Sequence, residues 1–522
     1  MRKGRIGKSA LGDPLEAINH VRALLNEGRL DELIDASIER FTELYHGHWR
    51  EYTQLVNSIP SGDLTRFPEI SVIAAAAASW FEPHTALGWA RVEHAVALMR
   101  ARNEDHPDPR RAMRSAGVEL GAYRILSRAG EAAAAAARWE ALVDGLVPDA
   151  LISSAEIIHV LTVQVVGAYA QEGRFEEAVR AWSRMREDTN TWRQVHAQSM
   201  VALSHAVSGD IAAARELTRS MRTNLTEHDW RGSYNSVGWN IAAAIVAVED
   251  GDPGGALDLL DELDGQLAAV DHWPYILAAR SRALMMHRSP GEAADIMQEL
   301  FSQHHGRRSS AYSVDLLRAA FADLLIASGQ VERGQAILES GMPLGPSALA
   351  HSRLLLKENP VLARTRATEM FNSGKLSTRM SAEALLTQAI AANRLGLEDD
   401  ARALMTRLVA GIERKGNLSV LMLAPRAEVF SLFPQGFDAL AAQARALPDN
   451  NDGGIAAPVQ LTSSEYRVLE MLLQYRSARE LADELFVSQN TVKTHLRNIY
   501  RKLGVSDRAA AISTATRIGL LR

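Results

Sequence analysis

The stretch that decides the reading is Ser488–Val505: Ser-Gln-Asn-Thr-Val-Lys-Thr-His-Leu-Arg-Asn-Ile-Tyr-Arg-Lys-Leu-Gly-Val. Val492, Leu496, Ile499 and Leu503 recur at helical spacing and form one apolar stripe. Lys493, Arg497 and Arg501 recur every four residues and form a second, basic stripe. Ser488 stands where an N-cap hydroxyl accepts a hydrogen bond from an early helix amide. A helix anchored by one face and basic on another suits the major groove of duplex DNA.

The preceding residues complete a small domain. Thr462 and Glu465 have capping-box spacing, and Leu461 and Tyr466 have the spacing of a hydrophobic staple. A first helix is expected from about Ser463, with Leu469, Leu472 and Leu473 inward. A short second helix carries Leu481, Ala482 and Leu485, and only residues 486–488 separate it from the basic helix. Two helices joined so tightly form a helix-turn-helix. A fourth helix is expected from Ser506, carrying Ala509, Ile512, Ala515 and Ile518.

Over residues 461–512 the chain resembles the C-terminal DNA-binding domain of LuxR-type transcriptional regulators. The matching residues are Leu461-Thr462, Glu465, Val468-Leu469, Leu481-Ala482, Leu485, Ser488, Thr491-Val492-Lys493, His495, Ile499, Lys502-Leu503, Val505 and Arg508. Ser464 stands where the family usually has Arg, and Tyr475 where it has Gly. The missing Gly bears on the exit of the first helix, because Gly is the easy residue for a left-handed cap. The resemblance implies base and phosphate contacts from Lys493, Thr494 and Arg497, with Asn490, Thr491 and Arg501 nearby. Their chemistry agrees: Arg and Lys suit guanine edges or phosphates, and Asn and Thr hydrogen-bond base edges. The family also pairs through its fourth helix, so a dimer on DNA is expected. That helix has two apolar edges here, Ala509–Ile512 and Ala511–Ala515–Ile518; one closes the domain and leaves the other free.

The chain has 522 residues, enough for several domains, with 47% hydrophobic and 23% charged residues. It has no cysteine, which excludes disulfides and thiolate metal sites and fits a reducing cytoplasm. No apolar run approaches the roughly 20 residues that span a bilayer, so no membrane contact is expected. The net charge of −6 conceals an asymmetry: residues 458–522 hold ten Lys and Arg against six Asp and Glu, leaving −10 for the rest. The basic end suits phosphate and the acidic body does not.

The body reads as helix after helix, rich in Ala, Leu, Glu and Arg. Gly173, Ala178 and Trp182 stand at 0, +5 and +9, and Gly130, Ala135 and Trp139 repeat those steps. Gly209–Ala214, Gly251–Ala256 and Gly396–Ala401 repeat the first step; Gly329–Gly334 and Arg288–Ala293 are variants. A helical hairpin explains this spacing. Gly closes the first helix with a left-handed turn, and a small residue lets the second helix lie close. The segment 165–185 looks most like a tetratricopeptide repeat. The expected fold is therefore all-α: a solenoid of tetratricopeptide-like hairpins, then a four-helix helix-turn-helix domain. The expected division is a basic tail over 1–12, a helical-repeat sensor or interaction domain over 13–446, a linker over 447–458, and a DNA-binding domain over 459–522.

Other signals are weaker. Gly4-Arg5-Ile6-Gly7-Lys8-Ser9 ends like a phosphate-binding loop, but Arg2 stands where its first Gly belongs and no strand precedes it. An ATPase is therefore a poor alternative. His228, Trp230, Tyr234 and Trp239, with Trp273, are the candidate ligand patch, set against the plainer reading of an aromatic core. His46, His48, His304 and His305 lack a metal-ligand pattern and read as surface residues. No catalytic residue, cofactor or metal is expected, and the protein is not expected to be an enzyme. The expected partners are double-stranded DNA and a small-molecule effector or protein partner of the body. The alternative is a scaffold that DNA binding localises. A pocket closed by Trp and polar groups would favour the effector; an open groove would favour the scaffold.

Overall fold

The computed structural model of the chain describes residues 13–79, 86–103, 108–185, 191–227, 236–264, 272–304, 309–448, 463–475, 477–485, 487–503, 505 and 507–517. The expected tail, most of the expected linker, and Leu461, Thr462, Ser506 and Ile518 lie outside them. The described elements are helices, so the all-α expectation holds. The chain divides into two units, Met1–Asn451 and Asp452–Arg522.

In the first unit consecutive helices pack against each other in pairs across short turns. The first members include Ala155–Gln171, Thr191–Ser208, Val237–Glu249, Trp273–His287, Ala311–Ala327 and Thr378–Arg394. The local chemistry sets their ends. Asp13, Asp108, Asp252, Ser310, Asn359 and Ser377 each accept a hydrogen bond from an early helix amide. Gly173, Gly209, Gly251, Gly329 and Gly396 have φ between 74° and 92°. The amide after each donates to the carbonyl five residues earlier, as in Arg174 N to Tyr169 O at 2.9 Å. That bond and the left-handed Gly satisfy carbonyls the helix leaves open. Ala178, Ala214, Ala256 and Ala401, five residues beyond four of these turns, are 0% exposed, as is Ala293, five residues beyond Arg288. At Gly334 an added Cβ would lie 2.9 Å from Ile326 Cγ1, so a methyl group would strain that crossing.

Two pairs depart from the expected pattern. Gly130 lies inside the helix Ala129–Asp144, and Ser127, at φ 53°, takes the left-handed position. The turn sits three residues before the one the spacing indicates, although Ala135 and Trp139 are fully buried. At Arg288 the backbone leaves the helix extended, with φ −122°.

First helices of consecutive pairs lie against each other in one row. The row returns on itself. Thr191–Ser208 touches Thr378–Arg394, and Ile211–Glu227 touches Glu398–Lys415. Tyr275 donates its hydroxyl to Ala170 O at 3.0 Å, across 105 residues of chain. A run of buried charges fastens the return. Arg379 Nη1 lies 3.1 Å from Glu249, and its Nε lies 3.0 Å from Glu383. Arg353 joins Glu383 at 2.9 Å and Asp323 at 2.7 Å. The Ser419 amide and hydroxyl both donate to Glu249 at 2.6 Å. Removing one member would strand a buried charge at a cost of about 3–5 kcal/mol. The inner row is thus packed against itself: Trp273–His287 is buried along most of its length.

The second unit has its own core of Val468, Leu469, Leu472, Leu481, Ala482, Val492, Ile499, Ala511 and Ala515. Its described helices are Ser463–Met471, Ala478–Leu485, Gln489–Leu503 and Arg508–Arg517. Leu473, expected inward, is 52% exposed because the first helix has already ended. The fourth helix, expected from Ser506, is capped by Asp507, whose carboxylate accepts from the Ala510 amide at 2.9 Å. Ala511 and Ala515 close the domain, and Ala509 is exposed beside the half-buried Ile512. The edge left exposed is therefore the one that carries Ala509.

Candidate nucleic-acid interface

The helix Gln489–Leu503 contacts the other three described helices of its unit. Val492 and Ile499 are 0% exposed, and Leu496 is half-buried against the same core. That face fixes the helix and leaves Lys493, Thr494 and Arg497 exposed on another. Thr491 and His495 are half-buried; the side chains of Asn490 and Arg501 lie outside the described residues. Lys493, Leu496, Arg497, Tyr500 and Val505 border a hollow of about 510 Å³. The structure thus brings Lys493, Thr494 and Arg497 together on one helix, two cations and a hydroxyl within two turns.

Capping fixes where this helix begins. Ser488 Oγ accepts from the Thr491 amide at 3.1 Å and lies 2.8 Å from the Thr491 hydroxyl. The preceding helix has a full capping box: Ser477 Oγ accepts from the Glu480 amide at 3.2 Å, and Glu480 accepts from the Ser477 amide at 3.1 Å. Its Ser-x-x-Glu signature stands in the sequence and goes unread there, eclipsed by Thr462 and Glu465. Arg508 supplies what the absent Gly at Tyr475 does not. Its guanidinium donates to the carbonyls of Leu472 and Tyr475, closing the turn that follows the first helix.

The candidate ligand patch is not assembled from what is described. His228, Trp230 and Tyr234 lie outside the described residues. Trp239 is 2% exposed among Val195, Met221 and Leu225, and its indole N–H donates to Thr218 O at 2.9 Å. Trp273 is buried and stacks on His304, centroids 5.4 Å apart. Both are core residues. His304, expected at the surface, is also buried, with Nδ1 2.8 Å from Leu300 O. Neighbouring His272 is 1% exposed, and burial, helped by Arg124 and His196, pushes its imidazole down to about 3. Among the described residues no group of His, Asp and Glu is placed to hold a metal, and no helix is long and apolar enough to cross a membrane.

A capped, tightly joined helix pair whose second member presents a basic face defines a helix-turn-helix DNA-binding protein. Residues 459–515 match the family described as bacterial regulatory proteins, luxR family. The chain is 43% identical over 61 residues to the spore germination protein GerE of Bacillus subtilis, covering 12% of this chain and 82% of that protein. It is 48% identical over 68 residues to the probable transcriptional regulatory protein NarL of Mycobacterium tuberculosis, covering 13% of this chain. The chain spans only 32% of the length of those NarL proteins. Through its C-terminal domain this chain belongs to the LuxR family of bacterial transcription regulators.

Proposed function

We propose that the protein is a sequence-specific regulator of transcription, controlled through its helical body. Lys493, Thr494 and Arg497 read base edges and phosphates, with Asn490, Thr491 and Arg501 adding contacts at the flanks of the helix. The observation that carries this reading is the split of one helix into a buried Val492–Ile499 face and an exposed Lys493–Arg497 face. A cation held on a buried scaffold aims at a groove at little entropic cost. The test is DNA titration. Arg497→Ala or Lys493→Ala should lose about 1–3 kcal/mol where the contact is bidentate to a base. The thermal melt should not move, because both side chains are exposed. Unchanged affinity in both variants refutes the assignment.

The domains in this reading are a helical-repeat receiver over 13–446, a linker over 447–458 and a reader over 459–522. The division near residue 451 supports it. The receiver takes a small-molecule effector or a protein partner, and the protein works in the cytoplasm, beside the chromosome. The self-packed inner row favours a receiver over a scaffold, because a scaffold needs an open groove along that row. On DNA the protein binds as a dimer. The exposed Ala509 edge is small, and at roughly 25 cal/mol per Å² it gives a weak contact. Ala509→Lys should therefore weaken binding to an inverted repeat and leave binding to one half-site unchanged.

A further inference from the structure

A cleft lies beside the seam where the inner row returns on itself. One wall is the turn at Gly173 with Tyr312, and the other is the segment 369–380. Its volume is about 590 Å³, inside the roughly 300–1,000 Å³ of small-molecule sites. Met370, Leu376 and Met380 give it an apolar lining. Thioether side chains adapt to irregular apolar shapes.

Among the described residues, three polar groups at this cleft make no side-chain hydrogen bond or ion pair. Tyr312 is held edge-on to Phe175, centroids 5.6 Å apart. Its ring abuts Gly173 so closely that a Cβ there would lie 2.7 Å from it. The Tyr312 hydroxyl makes no hydrogen bond with a described residue, and burial keeps it protonated, a donor. Lys375 and Glu369 border the same cleft and are exposed. Neither side chain enters an ion pair or hydrogen bond among the described residues. Charges nearby on the same stack do pair, as Arg364 with Asp400 at 2.8 Å and Arg394 with Glu428. The cleft therefore offers one cation, one anion and one phenol donor around apolar walls.

We infer that this cleft binds a short zwitterionic ligand with apolar side chains, a di- or tripeptide, as the effector of the protein. The ligand carboxylate meets Lys375 and the Tyr312 hydroxyl, its ammonium meets Glu369, and its side chains lie on Met370, Leu376 and Met380. A single amino acid fills only a fraction of the space between the walls. Arg379, next to Met380 in the chain, ties the seam to Glu249 and Glu383. A ligand that bridges the walls favours the closed seam over any opened form, which is the differential affinity an effector requires. The inference rests on the proposed reading that the body receives a signal.

The test is calorimetric titration of the full chain with trileucine, N-acetyl-trileucine and trileucine amide. Trileucine should bind saturably, and each blocked peptide should bind about tenfold more weakly, as loss of one charge-assisted contact implies. Glu369→Gln should abolish the preference for a free ammonium, and Lys375→Met the preference for a free carboxylate. Tyr312→Phe should weaken binding without moving the melt. Absence of binding, or equal binding by wild type and all three variants, overturns the site. A parallel DNA titration separates the two proposals. If saturating trileucine leaves DNA affinity unchanged, the effector role fails. If trileucine does not bind while the chain still binds DNA selectively, the site fails and the regulator reading stands.

Discussion

Replacing Arg508 with Ala removes the group that closes the turn after the first helix of the reader unit. The guanidinium donates to Leu472 O and Tyr475 O, and no Gly is present to take over. Hydrogen bonds to a charged group contribute about 1.5–3 kcal/mol each when buried, and Arg508 is only half-buried. The low end for the pair is therefore about 2–3 kcal/mol. A unit with nine buried apolar side chains in its core among the described residues is small, and such a unit holds roughly 3–5 kcal/mol in all. At about 4–8 °C per kcal/mol for this size, the melt should fall by about 10–20 °C. The assay is thermal circular dichroism on the fragment 452–522, which should fold alone as a helical unit. Arg508→Lys is the control: it keeps the charge, but a single ammonium bridges two carbonyls poorly, so its melt should fall between the other two. DNA affinity should follow the folded fraction. A melt unchanged in Arg508→Ala would refute the argument that this side chain replaces the missing left-handed cap.

Two further predictions concern the body. Gly251→Ala places a methyl group at φ 80° with nothing within 4 Å, so it should cost about 1 kcal/mol from backbone strain alone. Gly173→Ala adds a clash with Tyr312 to the same strain and should cost clearly more; equal urea midpoints for the two variants would contradict this. His272 is neutral in the fold, with its pKa lowered to about 3 from 6.5, so the unfolded chain binds its proton first as pH falls. Its contribution is complete above pH 6.5 and lost progressively toward pH 3, about 2 kcal/mol by pH 5. His272→Gln should flatten that slope in urea titrations at pH 7 and pH 5, and an unaltered slope would assign the pH dependence elsewhere.

What the sequence disclosed follows the range of the interactions involved. The reader helix was legible because its periodicity and its Ser488 cap act within a few residues. The buried small residues five beyond each turn were legible for the same reason. Gly130 misled because a Gly–Ala step also occurs inside an Ala-rich helix, while Ser127 took the turn without a sequence signature. Ala509 and Ala511 look alike in sequence, and only packing decides which edge of the fourth helix is buried. Trp239 and Trp273 looked like a patch because polar residues surround them, yet each indole lies among helices that arrive from elsewhere. The charged run through Glu249, Arg379, Glu383, Arg353 and Asp323 was invisible, since it joins residues up to 130 apart. Gly173 and Lys375, far apart in the chain, border one cleft beside the place where the row of helices returns on itself.

The most direct test of the central claim is selection of binding sites from random duplex DNA with the full chain, repeated with Lys493→Ala/Arg497→Ala. Wild type should enrich one motif arranged as an inverted repeat, while the double variant keeps its helical circular dichroism and enriches none. Enrichment of the same motif by both proteins, or of no motif by wild type, would contradict the account.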